Sequence, residues 1–104
     1  MYEDRIATVV ERVVRDFDTK AIVIFGPVAD GTAGEDSSLG VFAVIDTGLS
    51  MKQRSIAVRR SIGDIGMPVE LLVSTPEEVA VQRRNLWGMV DGIISSGKIV
   101  YGSL

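Results

Sequence analysis

The chain has 104 residues, a length that suits one domain with a hydrophobic core of its own. Hydrophobic residues make up 46% and charged residues 24%, which argues against disorder, and the net charge of −3 gives no general basic field for nucleic acid or acidic lipid. The absence of cysteine excludes disulfides and thiolate chemistry, and the absence of histidine removes the usual general base at neutral pH.

These absences restrict the metals and the location that we expect. A bound metal would have to be a hard cation such as magnesium, held by carboxylates. The N-terminal segment MYEDRIATVVERVVRDF carries interspersed charges, so it predicts neither a signal peptide nor a membrane span. We therefore expect a cytoplasmic protein without membrane contact.

The first predicted elements are a helix and two buried strands. Residues 2–17 have helical spacing of apolar side chains, at Tyr2, Ile6, Val9, Val10, Val13 and Phe17. AIVIF (21–25) is a continuous apolar run, which is typical of a central strand covered on both faces. A glycine-rich turn over 26–38 leads to a second strand, VFAVI (41–45).

Helices with clear start signals follow. Ser50 and Gln53 form a predicted capping box, and the helix after them is expected to bury Met51, Ser55, Val58, Ile62 and Ile65. PVELLVS (68–74) is a third strand, and Thr75 caps a helix that runs to about Arg84.

A last helix and a last strand complete the predicted order. The helix starts at Asn85 or Leu86 and stops at Gly97, and its predicted inward side chains are Leu86, Met89, Val90, Ile93 and Ile94. KIVY (98–101) adds a strand.

The order α-β-β-α-β-α-α-β predicts an α/β (α+β) protein with a mixed sheet of three to four strands. We expect the helices to pack mainly on one face of this sheet. No internal repeat, low-complexity tract or linker divides the chain, so we expect one domain over residues 1–104.

The turn between the first two strands resembles a known signature. FGPVADGTAGEDSSLGV (25–41) is similar to the pattern Phe-Gly-Ser-x-Ala-x-Gly, a spacer, then Ser-Asp-x-Asp-Leu, of the minimal nucleotidyltransferases in the DNA polymerase β-like superfamily. VELLVSTPEEV (69–79) resembles the strand that carries the family's third acid and the capped helix after it. The resemblance covers roughly residues 20–101 and implies the nucleotidyltransferase-like fold.

This resemblance also implies a site. In the family, the Gly-Ser turn binds the triphosphate of the incoming nucleotide, and here its positions are Gly26, Pro27 and Gly31. The paired aspartates and the third acid hold two magnesium ions, and their positions here are Ser38, Gly40 and Glu70.

The chain departs from the family pattern at the residues that the transfer chemistry requires. Pro27 replaces the serine of the turn and removes a hydroxyl and a backbone N–H, while Asp30 puts negative charge where phosphate charge would arrive. Ser38 and Gly40 replace both aspartates. One carboxylate, Glu70, cannot hold two magnesium ions against water, so the chain is identified as a degenerate member of the family.

One alternative set of metal ligands is possible. Asp36 stands two residues before Ser38 and could share its strand face, giving an Asp36–Glu70 pair as metal ligands. This pair needs the turn before Ser38 to be extended.

The resemblance leaves two classes of function open. The first interpretation is a catalytically inactive protein that binds a nucleotide or a protein partner, as an antitoxin does beside a small helical ribonuclease of the HEPN type, or that forms a homo-oligomer. The alternative is an active minimal nucleotidyltransferase that moves a nucleoside monophosphate from a nucleoside triphosphate to a protein or small-molecule acceptor. Retained activity would require magnesium and a nucleoside triphosphate as cofactors.

Overall fold

The computed structural model describes residues 2–84 and 88–104, in which helices and strands follow nearly the predicted order. The elements are α1 (Glu3–Asp16), β1 (Thr19–Phe25), α2 (Pro27–Asp30), β2 (Leu39–Ile45), α3 (Met51–Ile62), β3 (Val69–Ser74), α4 (Pro76–Gln82), α5 (Met89–Ser96) and β4 (Lys98–Gly102). The single-turn helix α2 is the one element in this part of the chain that the sequence did not predict. The predicted helix start at Asn85 or Leu86 lies outside the described residues.

The four strands form one mixed sheet in the order β3-β2-β1-β4. β1 is antiparallel to both β2 and β4, and β2 is parallel to β3, with α3 as the crossover between them. The α+β fold with a mixed sheet is confirmed.

The longer helices α1 and α3 pack together with α2 on one face of the sheet, as predicted, and the shorter helices α4 and α5 cover the opposite face. On one face, which we call the α1/α3 face, a core of Ile22, Ile24, Val41 and Ala43 meets Val9 of α1 and other residues of α1 to α3. The opposite face, the α4/α5 face, has a second core of Ala21, Val23, Phe42, Val44, Val79, Val90 and Ile93. The physical reason is that β1 and β2 are apolar on both faces. Each face of such a strand has to be covered by other apolar side chains.

The predicted N-terminal caps are present, and the predicted buried face of α3 is confirmed at Val58 and Ile62 but not at Met51. The helix was predicted to end at Gly66 and instead ends at Ile62, with Gly63 as its C-cap. Ser50 and Thr75 each form a capping box, with Gln53 and Glu78 respectively. Met51 was predicted to be buried, but it is 64% exposed, while Arg54 is buried at 4% exposure. Met89 of α5 was predicted to face inward and is also exposed.

The burial of Arg54 near the start of α3 is explained by an ion pair between the two helix layers. Arg54 Nη2 donates to Glu78 Oε1 at 2.5 Å, and the same carboxylate accepts the N–H of Thr75. The pair joins the first turn of α4 to α3 across the sheet end where β2 and β3 stop. The hydrogen bond from the Arg54 guanidinium lowers the pKa of Glu78, and the hydrogen bond from the Thr75 N–H lowers it further. No helix in the described ranges is long and apolar enough to cross a membrane.

We predict that Glu78→Gln destabilises the protein by about 2 kcal/mol at neutral pH. This is less than the roughly 3–5 kcal/mol that a fully buried pair can cost, because a third of the Glu78 side chain is exposed. Glu77→Gln removes the same charge from the neighbouring exposed position and should cost less than about 0.5 kcal/mol. Urea unfolding of the three proteins measures both differences.

The same pair predicts a pH dependence. Because the pKa of Glu78 is lowered in the folded state, its contribution is present above the pKa of an unfolded glutamate and is lost as the pH falls through the folded value. The stability difference between wild type and Glu78→Gln should therefore shrink towards zero on acidification. A difference that stays constant down to about pH 2 would mean that the carboxylate charge is not the source.

Candidate functional site

Three strands bring the predicted catalytic positions to one end of the sheet. Gly40 of β2 lies between Phe25, its partner in β1, and Glu70, its partner in β3. By strand alternation these three residues share the α4/α5 face. Ser38 directly precedes β2 and is half-buried, so Ser38, Gly40 and Glu70 stand at the same sheet end as the resemblance implies.

The Gly40 position has no room for a side chain. A Cβ atom built on Gly40 would lie 2.5 Å from the carbonyl oxygen of Phe25 and 2.8 Å from two atoms of its ring, Cδ2 and Cε2. Carbon contacts this short fall far inside van der Waals distance. The aromatic ring therefore covers the glycine of the neighbouring strand, and a carboxylate at this position would have to displace β1 itself.

Sequence reasoning missed Phe25 as the residue that closes the site. The sequence alone predicts Phe25 only as the last residue of a buried strand and as part of the signature, with no role at the Gly40 position. The signal that could have revealed it is the cross-strand register, because only the pairing of residue 25 with residue 40 places the ring over the glycine.

The turn that resembles a phosphate-binding loop folds into the short helix α2. Gly26 precedes it with φ of +80°, Pro27 is its first residue, and Gly31 ends it with φ of +79°. The N–H of Asp30 donates to the Gly26 carbonyl at 3.0 Å, and the N–H of Thr32 donates to the Pro27 carbonyl at 2.9 Å. Two amides of the loop thus close the turn itself, and Pro27 has none to offer.

Asp36 lies in a tight turn rather than in an extended segment. The N–H of Ser37 donates to the carbonyl of Gly34 at 3.2 Å, and the Gly34 N–H donates back to Ser37 Oγ at 2.9 Å. Asp36 is exposed at the tip of this turn, between those two bonded residues. The extended geometry that an Asp36–Glu70 metal pair requires is therefore absent around Asp36.

The electrostatics of this sheet end do not favour a divalent cation. Glu70 is exposed, and its neighbours in the row across the sheet are a glycine and a phenylalanine. Over residues 2–84 and 88–104, no three acidic side chains converge as a metal-binding group. Magnesium keeps its hydration shell unless anionic ligands meet around it, so Glu70 alone makes a weak site.

A separate cavity of about 370 Å3 lies behind the turn, towards the N-terminus of α1. It is lined by Tyr2, Arg5, Ala33, Gly34, Glu35, Ser37, Gly66 and Met67. The Arg5 guanidinium is held by a thioether, with Nη1 3.7 Å from Met67 Sδ, and by the Tyr2 ring, whose centroid is 6.0 Å away. Arg5 and Glu35 bring opposite charges to the wall of this cavity.

Comparison with known proteins decides the fold. The chain matches no family model and no curated protein. It is similar to a crystal structure of the toxin–antitoxin pair MntA–HpeT, in a mutant form in which two aspartates, two positions apart, are replaced by glutamate. The match to MntA covers 99% of this chain and 74% of that chain, with a TM-score of 0.59 and 13% sequence identity.

The chain has the minimal nucleotidyltransferase fold. At 13% identity the likeness shows the fold and not the activity, since one fold carries many functions. Within this fold, the sheet end with Ser38, Gly40 and Glu70 is where the acidic residues of the family pattern would lie.

We predict that Gly40→Asp destabilises the protein by about 3 kcal/mol, because the new Cβ collides with the β1 backbone and with Phe25. Gly92→Ala is the matched control: Gly92 lies in α5 with nothing within 4 Å of an added Cβ. This control should stabilise the protein by about 0.5–1 kcal/mol. Chemical denaturation compares the two, and a Gly40→Asp protein as stable as wild type would show that the position is open.

Proposed function

We propose that this protein is a non-catalytic member of the minimal nucleotidyltransferases and that it acts by binding a protein partner, in the manner of an antitoxin. The observation that carries the proposal is the closure of Gly40 by Phe25. The position that would supply the second aspartate has lost its carboxylate and the space for one.

The chemistry of nucleotidyl transfer supports this proposal. Two metal ions clamp the attacking and leaving oxygens, and both ions need carboxylates that converge from neighbouring strands. Here the row across the sheet contributes Phe25, Gly40 and Glu70, and only the last is an acid. We propose that Glu70 is a solvent-facing strand residue rather than a metal ligand.

The nucleotide-binding half of the site argues in the same direction. A triphosphate needs backbone N–H groups and positive charge at the turn. Here the turn instead forms the helix α2, with Gly26 before it, Pro27 as its first residue and Gly31 at its end. Pro27 has no N–H, and Asp30 adds a negative charge. We therefore favour partner binding over nucleotide binding as the retained function.

The likeness to a toxin–antitoxin pair supports a protein partner. The matched structure is that of MntA with HpeT, and its mutant form alters two aspartates at the same i, i+2 spacing as Ser38 and Gly40. By analogy, the partner of this chain would be a small helical protein of the HEPN type. Without transfer chemistry, such a partner would be neutralised by stable contact that covers its working surface.

The test is a transfer assay with each α-³²P-labelled nucleoside triphosphate, in Mg²⁺ and in Mn²⁺, with the purified protein and a co-expressed candidate partner as acceptors. We expect no label on either protein and no difference between wild type and Glu70→Gln. Incorporation that Glu70→Gln abolishes would establish the alternative, an active minimal nucleotidyltransferase.

Calorimetry separates partner binding from nucleotide sensing. Titration with nucleoside triphosphates, with and without Mg²⁺, should give no saturable heat, while the partner should bind with a dissociation constant in the range of stable complexes, about 1 µM or below. Saturable nucleotide binding that an Asp30→Asn substitution strengthens would show that the turn still holds phosphate.

A further inference from the structure

The outer side of α3 combines positive charges with one apolar side chain. Helical spacing places four exposed residues on this side, which we call the α3 stripe: Lys52, Ile56, Arg59 and Arg60. The stripe faces away from the core, because the buried residues of the helix lie on its other side (Arg54, Val58 and Ile62). From Lys52 to Arg60 the stripe spans eight residues or about 12 Å, which is roughly two helical turns.

The α3 stripe is a basic region on an acidic protein. The helix MKQRSIAVRRSI contains four basic residues and no acid. Because the whole chain has a net charge of −3 and α3 contributes +4, the residues outside α3 carry −7. A local field of this sign attracts acidic surfaces and orients them as they approach.

The acidic side chains that contact α3, or lie just after its end, already accept hydrogen bonds from other groups. Glu78 accepts from the buried Arg54. Asp16 accepts from Ser61 Oγ at 2.6 Å and also from the arginine beside it. Asp64, two residues after the helix, accepts a backbone N–H at 2.8 Å. These carboxylates therefore do not neutralise the stripe.

The cations of the stripe have no acidic partner in residues 2–84 and 88–104, where no salt bridge involves Lys52, Arg59 or Arg60. Arg59 Nη1 donates to the Val69 carbonyl at 3.1 Å, which positions this side chain and leaves its charge in place. The side chains of Lys52 and Arg60 make no hydrogen bond in the same ranges. The donors of the stripe are thus free to bind carboxylates of another molecule.

Neither helix stability nor core packing explains the residues of the stripe. Lys52 lies in the first turn of α3, where the helix dipole favours acids and disfavours cations. α1, α4 and α5 all have acidic residues in their first turn, and α3 has none. Ile56 is 44% exposed and belongs to neither core, although β-branched residues are weak helix formers.

We propose that the α3 stripe binds an acidic helix of the partner protein, with an apolar side chain of that helix against Ile56 and carboxylates on both sides of it. This inference rests on the proposed function, because it names the surface through which partner binding would occur. Nucleic acid fits less well, since an apolar residue lies within the stripe and the net charge of −3 opposes a polyanion. A two-fold dimer would place one basic stripe against another.

The test uses the full chain and a defined probe. The probe is a model helix of about 15 residues, stapled because isolated helices of this length are marginal in water. It has leucine at its centre and glutamate one turn before and one turn after it, and its counterpart has lysine in place of each glutamate. Amide NMR should show saturable shifts centred on Ile56 with the glutamate peptide and at least about tenfold weaker binding of the lysine peptide.

Two pairs of exposed cations provide matched charge variants. Lys52→Gln with Arg60→Gln removes two charges from the stripe, so it should weaken the glutamate peptide about tenfold or more. Arg83→Gln with Arg84→Gln removes two charges at the end of α4, on the other face of the sheet, and should leave affinity within about twofold.

Two exposed apolar residues test the role of Ile56 in the same way. Ile56→Ser should weaken the glutamate peptide about threefold or more, because the central leucine loses its contact. Val81→Ser, on α4 and 63% exposed in wild type, should leave affinity within about twofold.

Lys52→Glu separates binding from stability. An acid in the first turn of α3 suits the helix dipole, so this variant should raise the midpoint of thermal unfolding by about 2–5 °C. The same variant should bind the glutamate peptide at least about tenfold more weakly than wild type does. A Lys52→Glu protein that is less stable than wild type would instead assign Lys52 a structural role.

Other results would also overturn the proposal. These are equal affinity for both peptides, equal effects of the two double variants, or shifts centred away from Ile56. A single-stranded RNA of about 20 nucleotides that binds more tightly than the glutamate peptide, and is insensitive to Ile56→Ser, would assign the stripe to nucleic acid. Because none of these measurements involves nucleotide transfer, they can fail while the transfer assay still supports a non-catalytic protein, and the reverse also holds.

Discussion

The burial of the β1–β2 pair on both faces is the constraint on which the rest of the structure depends. All seven residues of β2 are buried, as are the four central residues of β1. At each position of a strand pair that is buried between two helix layers, the residue must either have an apolar side chain or, as glycine, have no side chain. The apolar positions build the two cores, and Gly40, which presents none, lies beneath the ring of Phe25.

The burial of β2 also conflicts with the carboxylates that a nucleotidyltransferase needs at the start of this strand. In a nucleotidyltransferase, the start of the second strand must open enough to hold two carboxylates near solvent and metal. In this protein the same point is packed as part of the core, so the sheet gains a buried contact where a catalytic relative needs a charged one.

Much of this could be predicted from local sequence, and the rest depends on contacts between distant residues. The strands at 21–25 and 41–45 and the caps at Ser50 and Thr75 follow from apolar runs and from side chains within three residues of the helix start. The burial of Arg54 in place of Met51 depends on Glu78, 24 residues away, and no periodicity within α3 contains that information. The Phe25–Gly40 contact likewise needs the strand register, so local sequence shows that Ser38 and Gly40 replace the two aspartates but not that the space at Gly40 is filled.

The proposal that Phe25 and Gly40 close the metal site is tested most directly by titrating the isotopically labelled protein with Mn²⁺ and following the paramagnetic broadening of each amide. If Phe25 and Gly40 close the site, about 1 mM Mn²⁺ should broaden the amides around Glu70 no more than those around other exposed acids such as Glu77. Saturable broadening centred on Ser38, Gly40 and Glu70 at concentrations below about 100 µM, and lost in Glu70→Gln, would contradict it.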